Sequence, residues 1–262
     1  MKIKVFINNW TFKSGYLAEH GLSLYIEKDG KKILFDCGQT DAMLKNLEKA
    51  KIDLNFDAVV LSHSHYDHTG GLKSFIDRLS CPVFVHEGFF EQKYALRDGK
   101  FNFIGHNFEE GALRFKIVKD EVYELFEDIY LLNVKSHAEG SEEFYIGKDG
   151  RFEKDLFLEE QSLVIKEKGK LILISGCSHN GIENIIKRAE EIFESSIFAT
   201  IGGFHSKDFP EEKMDELCKF FEKHRVYKII PLHCSGIRTL TFMGKSLPNK
   251  LKIAGCGDEI EL

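Results

Sequence analysis

The chain has 262 residues, of which 43% are hydrophobic, and a formal net charge of −6. Its hydrophobic content suffices for a sizeable buried core, whereas the acidic balance disfavours the clustered Lys and Arg that a nucleic-acid partner requires. The N-terminus lacks the apolar stretch of a signal peptide, and no run approaches the roughly 18 apolar residues of a membrane span. We therefore expect a soluble, cytoplasmic protein without a nucleic-acid or membrane partner, and the sequence does not indicate its oligomeric state.

One pattern recurs along the chain: a short, β-branched apolar run is followed by a loop that carries glycine, histidine, aspartate or cysteine. It occurs at 32–40, 58–68, 81–88, 170–181, 196–206 and 227–236. Apolar residues at helical spacing follow three of these loops, over 72–79, 182–189 and 214–221. Strands that end in loops and lead into helices predict an α/β architecture, with reactive side chains gathered at the carboxyl edge of the strands.

The region 89–160 departs from this pattern. It is rich in Phe and acidic residues and contains turn signals, but the chain has no Pro- or Ser-rich linker that would mark a domain boundary. We therefore expect a single domain over 1–262, with 89–160 as an insertion that partly covers the functional site.

The densest group of polar side chains lies in the segment LSHSHYDHTGG, at 61–71. It places His63, His65, Asp67 and His68 directly after an apolar strand. Alternate side chains of an extended segment share a face, so the first two histidines can bind one ion. The aspartate and the third histidine, beyond the turn, then face a second ion about 3.5–4 Å away. The spacing therefore predicts a dinuclear metal site.

The motif HxHxDHxGG after an apolar strand resembles the signature of the metallo-β-lactamase superfamily, and the resemblance covers nearly the whole chain. It implies a four-layer αββα sandwich, in which helices cover two stacked sheets and the metal site lies at one edge of both. Further segments resemble a narrower branch, the dihydropteroate-synthase-like or ribofuranosylaminobenzene-phosphate-synthase-like metal-dependent hydrolases. These segments are 20–27, 34–40, 175–185, 202–206 and 231–236.

The resemblance implies roles for individual residues. His63 and His65 become ligands of the first metal, Asp67 and His68 ligands of the second, and His233, at the end of an apolar run, completes the second site. It also favours zinc as the cofactor, because His65 occupies the position at which diiron members carry a carboxylate. The general order of metal affinities keeps Mn or Fe as alternatives for the two divalent ions.

The segment ISGCSH at 174–179 departs from the family pattern, which has a bridging aspartate there. In this chain the position is Cys177, whose thiolate can bind zinc; alternatively, Cys177 is a buried core residue. The third histidine of the first site is His179 or, alternatively, His137 in SHAEGS. We favour His179 because its motif follows an apolar strand more cleanly.

Four more residues follow apolar runs or site motifs. Asp36 is expected to orient a ligand histidine, although a turn-forming aspartate fits equally well. His86 and His205 are candidates for substrate binding or proton transfer, against the alternative of loop histidines without a role. Arg238, shortly after HCSG, is a candidate for contact with a substrate phosphate.

Together these residues predict a metal-dependent hydrolase that activates water against a phosphoryl or carbonyl centre of a small molecule. Asp67 would bind and orient, and His179 or His205 would assist the leaving group. The branch resemblance favours a phosphate-bearing substrate. The alternatives are a synthase of the methanopterin-pathway type, which releases phosphate or pyrophosphate, and a non-catalytic metal or ligand sensor.

Overall fold

The structure is a computed structural model that describes residues 1–109, 114–136 and 143–262. Within these ranges the strands are β1 (Lys2–Ile7), β2 (Ser23–Lys28), β3 (Lys31–Phe35), β4 (Ala58–Val60), β5 (Val83–His86), β6 (Gln92–Arg97), β7 (Lys100–Phe103), β8 (Phe115–Val118), β9 (Val122–Phe126), β10 (Ile129–Asn133), β11 (Phe144–Lys148), β12 (Arg151–Lys154), β13 (Gln161–Glu167), β14 (Lys170–Ser175), β15 (Ile197–Gly202), β16 (Lys228–Pro231) and β17 (Glu259–Ile260). The apolar runs that recur in the sequence form β3, β4, β5, β14, β15 and β16.

The α-helices of the same ranges are α1 (Ala42–Ala50), α2 (Tyr66–Thr69), α3 (Ile182–Phe193), α4 (Glu211–Lys223) and α5 (Gly236–Ser246). Short 3₁₀ turns cover Gly70–Ser74, Ile76–Arg78 and His233–Ser235. None of the helices in the described part of the chain is both long and apolar enough to span a bilayer.

Two large sheets form the body of the fold. In the described ranges the first has the strand order β17-β1-β2-β3-β4-β5-β8 and the second the order β16-β15-β14-β13-β10-β9. Strands β3, β4, β5 and β8 run parallel to one another, and so do β14, β15 and β16. The carboxyl ends of each parallel group therefore lie together, which brings the loops after these strands to one edge of each sheet.

The apolar core lies between the two large sheets, where Val60 of the first and Ile174 of the second are fully buried. Helices pack on the outer faces: Leu47 of α1 against the first sheet, and Ile186 of α3 and Leu217 of α4 against the second. Complete burial of one such side chain contributes roughly 1.5–3 kcal/mol. The order helix, sheet, sheet, helix confirms the predicted αββα sandwich.

Part of the region 89–160 forms a smaller antiparallel sheet with the order β12-β11-β6-β7, which we call the third sheet. Strands β8, β9 and β10 of the same region belong instead to the two large sheets. The region thus contributes to the body of the fold as well as to a separate sheet. The single domain over 1–262, with 89–160 covering the site, stays a prediction.

One predicted helix differs from the structure. The stripes over 182–189 and 214–221 lie in α3 and α4, but the stripe over 72–79 forms 3₁₀ turns after the short α2. Gly71 lies against the loop that follows β3, where an added Cβ would be 2.1 Å from the carbonyl oxygen of Cys37. Glycine permits that close approach but disfavours α-helix, so the apolar spacing alone was a poor guide here.

Candidate metal centre

The loops that follow five parallel strands supply the candidate ligands. They are Asp36 after β3; His63, His65, Asp67 and His68 after β4; Cys177 and His179 after β14; His205 after β15; and His233 and Cys234 after β16. The described residues contain four groups of His, Cys or Asp whose ligand atoms all lie within 4.8 Å of one another, and these residues supply nearly all of their members. Chain segments far apart in sequence are therefore combined into one site.

The first group consists of His63, His65 and His179. Nε2 of His63 lies 3.1 Å from Nδ1 of His65, and the His179 ring centroid is 5.0 Å from each of the other two. All three side chains are buried. Neither ring nitrogen of His179, nor Nε2 of His65, has a hydrogen-bond partner among the described residues. Buried polar atoms of this kind are normally satisfied, so these histidines fit a bound cation.

Hydrogen bonds from the loops assign the tautomer of two histidines. The Ser62 hydroxyl donates to Asp36 at 2.7 Å, so at 2.9 Å it accepts from Nδ1 of His63. Nδ1 of His68 donates to the same Asp36 carboxylate at 2.6 Å. Both histidines therefore direct Nε2 towards the site. That atom is the metal-binding nitrogen of a neutral imidazole in His63, whereas in His68 it becomes available only when the ring loses a proton.

Asp36 is fully buried and has a left-handed φ of 59°, which places its carboxylate against the loop after β4. Its Oδ2 accepts the hydrogen bond from Nδ1 of His68, and its role in orienting a metal ligand stays a prediction. The Nε2 atom of His68 lies 3.2 Å from Sγ of Cys177, and with His63 these two form the second group. The thiol is buried at this point between two imidazoles.

Asp67, His20 and His233 form a third group at the wall of the cavity. Nε2 of His233 is 3.2 Å from Oδ2 of Asp67, while its Nδ1 donates to Oδ1 of Asn9 at 2.9 Å. The other ring nitrogen of His233 therefore faces a carboxylate oxygen, and a cation bound between the two atoms would be attracted by both. His20 instead accepts from the Asn9 amide and directs its Nε2–H at Asp67, over 3.1 Å.

Burial controls the charge of the first group. It lowers the pKa of His63 and His179 well below the usual range, and that of His65 to about 3. These imidazoles are therefore neutral over the whole physiological range. Neutral histidine is the form that binds divalent metals, so these three histidines need not lose a proton before they bind a cation.

The charges differ at the second position. Burial would raise the pKa of Asp67, but the charge of His68 and the hydrogen bond from His20 outweigh it and hold that pKa well below its usual value. Burial would likewise lower the pKa of His68, but Asp36 and Asp67 raise it to about 9. A cation bound here would displace the His68 proton, so binding weakens as the pH falls.

Aromatic rings and a buried carboxylate surround His179. Phe157 stacks on its imidazole with the centroids 3.8 Å apart, and Phe144 of β11 lies 5.3 Å away. Glu160 accepts hydrogen bonds from the backbone N–H groups of His179 and Asn180, at 2.7 and 2.9 Å. Burial raises the pKa of Glu160 to about 7, although these hydrogen bonds oppose the shift. Glu160 therefore fixes the backbone of the loop after β14, although the sequence patterns did not single this residue out.

A buried ion pair connects the third sheet to this part of the site. The Lys93 ammonium of β6 lies 3.0 Å from Asp155 and 2.9 Å from Glu159, and all three side chains are inaccessible to solvent. Asp155 also accepts the backbone N–H of Phe157 at 2.9 Å. The loop between β12 and β13, which carries the ring stacked on His179, is thus held by a buried lysine of β6.

A cavity of about 1150 Å³ opens onto these groups. Its wall includes His205, Lys207 and Lys213 and, from the third sheet, Phe144 and Arg97. The cavity is large enough for a metabolite-sized ligand. Its cationic side chains lie where a substrate phosphate could reach them.

Two predicted residues lie outside this arrangement. His86 is buried at the end of β5 and belongs to none of the four ligand groups of the described chain. Arg238 is exposed on α5 and does not line the cavity. Sequence proximity to HCSG was misleading because that loop turns into α5, and Lys207 reaches the cavity instead. His137 lies outside the described residues.

Sequence reasoning missed His20 as a partner of Asp67, Glu160 beneath His179, and Cys234. Glu160 lies in a segment without a motif, whereas His20 begins the branch-like segment 20–27, and both reach the site through the strands that follow them. A usable signal existed for Cys234, because it follows His233 directly and the same apolar run precedes both.

The family model of the metallo-beta-lactamase superfamily matches residues 17–148. An uncharacterized protein of Methanocaldococcus jannaschii is 34% identical over 247 residues, which make up 91% of this chain and 92% of that protein. The 7,8-dihydropterin-6-methyl-4-(beta-D-ribofuranosyl)-aminobenzene-5'-phosphate synthase of the same organism is 29% identical over 87% of this chain and 84% of the synthase.

The fold was also compared with solved structures. The crystal structure of a metal-dependent hydrolase of the beta-lactamase superfamily superposes with a TM-score of 0.88 and 31% identity, covering 100% of this chain and 99% of that one. Likeness over the whole length of both chains means that the strand ends carrying the candidate ligands are part of the shared architecture.

Proposed function

The chain belongs to the metallo-beta-lactamase superfamily, and we propose that it is a hydrolase whose two divalent cations act on a phosphoryl or carbonyl centre of a small molecule. The observation that carries the proposal is His179, whose two ring nitrogens are buried without a partner in the described chain, beside His63 and His65. An unsatisfied buried polar group costs about 1–3 kcal/mol, and a bound cation removes that cost.

The proposed ligands of the first cation are His63, His65 and His179. Those of the second are Asp67, His68 and His233, with the Cys177 thiolate between the two positions. Imidazole and thiolate donors suit zinc better than the harder Mn or Mg, so zinc is the proposed cofactor, with Mn or Fe as alternatives.

When bound, the two cations supply a Lewis acid that polarises the scissile bond and lowers the pKa of water towards neutrality. The chain itself orients Asp67, through the Nε2–H of His20, and His233, through Asn9. His179 lies among the proposed ligands, which leaves His205, on the cavity wall, to deliver a proton to the leaving group.

The substrate is proposed to carry a phosphate. Lys207 and Lys213 line the cavity and would attract a phosphate into it. A relative that is 29% identical to this chain has a 5'-phosphate in the name of its product. That relative also supports the second candidate, a synthase that forms its product with loss of phosphate or pyrophosphate at the same centre.

The test is a substrate screen under controlled metal. Metal-depleted protein is reconstituted with Zn or with Mn and assayed on phosphomonoesters, phosphodiesters, lactones and thioesters. We expect turnover of one class that requires added metal and is lost in His65→Ala. The matched control is His224→Ala, since His224 pairs with Glu190 away from the ligand groups. Turnover that survives metal depletion or His65→Ala would refute the hydrolase.

A further inference from the structure

Three side chains that line the cavity form a further ligand group, of which the proposed dinuclear centre uses only one member. They are Cys177, His205 and Cys234, from the loops after β14, β15 and β16, and their ligand atoms lie within 4.8 Å of one another. A tetrahedral zinc ion with Zn–S bonds of about 2.3 Å holds two sulfurs roughly 3.8 Å apart. A small contraction would therefore bring the three residues into bonding distance of one ion.

The backbone around Cys234 is shaped to bring its sulfur here. An added Cβ at Gly203 would lie 2.5 Å from Sγ of Cys234, so glycine is required for this approach. The same Sγ accepts the backbone N–H of His205 at 3.3 Å and lies 3.7 Å from the carbonyl oxygen of Cys177. Both thiols are buried and neither is in a disulfide.

His205 supplies a second, independent observation. Its Nδ1 atom is shielded from solvent and has no hydrogen-bond partner among the residues that the structure describes. Its ring lies 4.5 Å from that of His179, on the same cavity wall. The histidine thus combines a shielded, unpartnered Nδ1 with a ring nitrogen that lies within 4.8 Å of both thiol sulfurs.

We infer that Cys177, His205 and Cys234 form a further cation position, an open Cys₂His site for a thiophilic divalent ion such as zinc. Two cysteines and one histidine leave the fourth position of a tetrahedral ion vacant, as in catalytic zinc sites, and that position faces the cavity. Cys177 also contacts His68, so its thiolate connects this position to the dinuclear centre. As a ligand, His205 would not also be the proton donor of the proposed hydrolase.

The remaining cysteines of the chain provide the contrast. Cys37, Cys81, Cys218 and Cys256 are buried, and within the described ranges none of them belongs to a ligand group. Cys218 packs with Phe221 in the helical layer outside the second sheet. It serves as the matched control for removal of a buried thiol.

The experiment is cobalt substitution of the metal-depleted chain, under reductant and without oxygen. We measure cobalt per chain and the near-ultraviolet sulfur-to-cobalt charge-transfer band in the wild type and in Cys234→Ala, Cys177→Ala and Cys218→Ala. We expect Cys234→Ala to bind one cobalt fewer and to lose at least half of the band. Cys177→Ala should abolish the band, and Cys218→Ala should match the wild type.

A band and cobalt content unchanged in Cys234→Ala would overturn the inference, as would the lack of any band in the wild type. Retained cobalt at the histidine group shows that Cys234→Ala is folded, and His205→Ala should lose the same single ion. The readout does not depend on turnover. The experiment can therefore refute the Cys₂His position while the hydrolase proposal stands. Likewise, the substrate screen can refute the hydrolase while the Cys₂His position stands.

Discussion

The side of the cavity formed by the loops after β4 and β14 differs from the side formed by the third sheet in how its side chains are held. The loop side chains are fixed by short hydrogen bonds from neighbours on the same edge, such as Asp36 to His68 at 2.6 Å. The third sheet is joined to the site by a buried ion pair, between Lys93 and the carboxylates of Asp155 and Glu159, and by the ring of Phe144 beside His179.

This difference separates two tasks. The strand ends bring the proposed ligand atoms together, and hydrogen bonds orient four of these residues, namely His63, Asp67, His68 and His233. The third sheet contributes Phe144 and Arg97 to the cavity wall and bears on substrate contact. Changes at the strand ends should therefore affect metal binding, whereas changes in the third sheet should affect stability and substrate affinity.

The largest effect should follow removal of a ligand at a strand end. His179→Ala deletes the central imidazole of the first group, so we expect loss of one metal ion per chain and turnover at background. His86→Ala is the control, because His86 is also a buried histidine with an unpartnered nitrogen but lies outside the ligand groups of the described chain. Elemental analysis and the turnover assay check both variants. Equal metal content in the two would contradict the assignment of His179 as a metal ligand.

The third sheet is tested next through its buried charge. Lys93→Met leaves two carboxylates buried without a cation, which should lower the free energy of unfolding by about 3–5 kcal/mol. Denaturant unfolding measures this loss, and Lys100→Met on the exposed β7 of the same sheet is the control. The triple variant Lys93→Met, Asp155→Asn, Glu159→Gln should recover much of the loss. A single variant as stable as the wild type would show that the ion pair does not hold the sheet.

A smaller effect is expected where a ligand is kept but its orientation is disturbed. Asp36→Asn puts an amide against Nδ1–H of His68, and loss of such an orienting carboxylate typically weakens metal binding about 10–100-fold. Competition with a chelator measures the affinity. Asp57→Asn is the control, since Asp57 accepts the backbone N–H of Lys32 far from the site. An unchanged affinity in Asp36→Asn would mean that the hydrogen bond has no role in binding.

The smallest effect should come from the cavity wall. Phe144→Ala removes an apolar contact worth about 1–2 kcal/mol, so KM should rise about 5- to 30-fold while metal content stays constant. Phe152→Ala, on the same sheet but stacked on Phe101 outside the cavity, should change neither quantity. Loss of metal in Phe144→Ala would contradict the separation of tasks between the two sides.

The strand ends could be predicted from the sequence because each one is marked by a short, continuous sequence pattern. A β-branched run followed by a polar loop marks β4 and His63, or β14 and Cys177, without knowledge of anything else in the chain. The helix expected over 72–79 failed for a local reason as well, since Gly71 is needed where the chain passes Cys37 at close range. Periodicity reports a buried face, but it does not report close backbone contacts.

The rest of the site depends on contacts between distant segments. Glu160 supports His179, and Lys93 positions Phe157, through the pairing of sheets that no short motif encodes. Arg238 illustrates the opposite error, because a residue near a motif in sequence can point away from the cavity once its helix forms. Sequence patterns thus identified candidate ligands better than the residues that orient them or contact the substrate.

The central claim, a dinuclear cation centre, is tested most directly by anomalous diffraction at the zinc edge from crystals of the zinc-reconstituted protein. The account predicts one peak among His63, His65 and His179, and another about 3.5–4 Å away beside Asp67 and His233. An anomalous difference map without a peak among the three histidines would contradict the account. A map with that peak but no second peak beside Asp67 would contradict it as well.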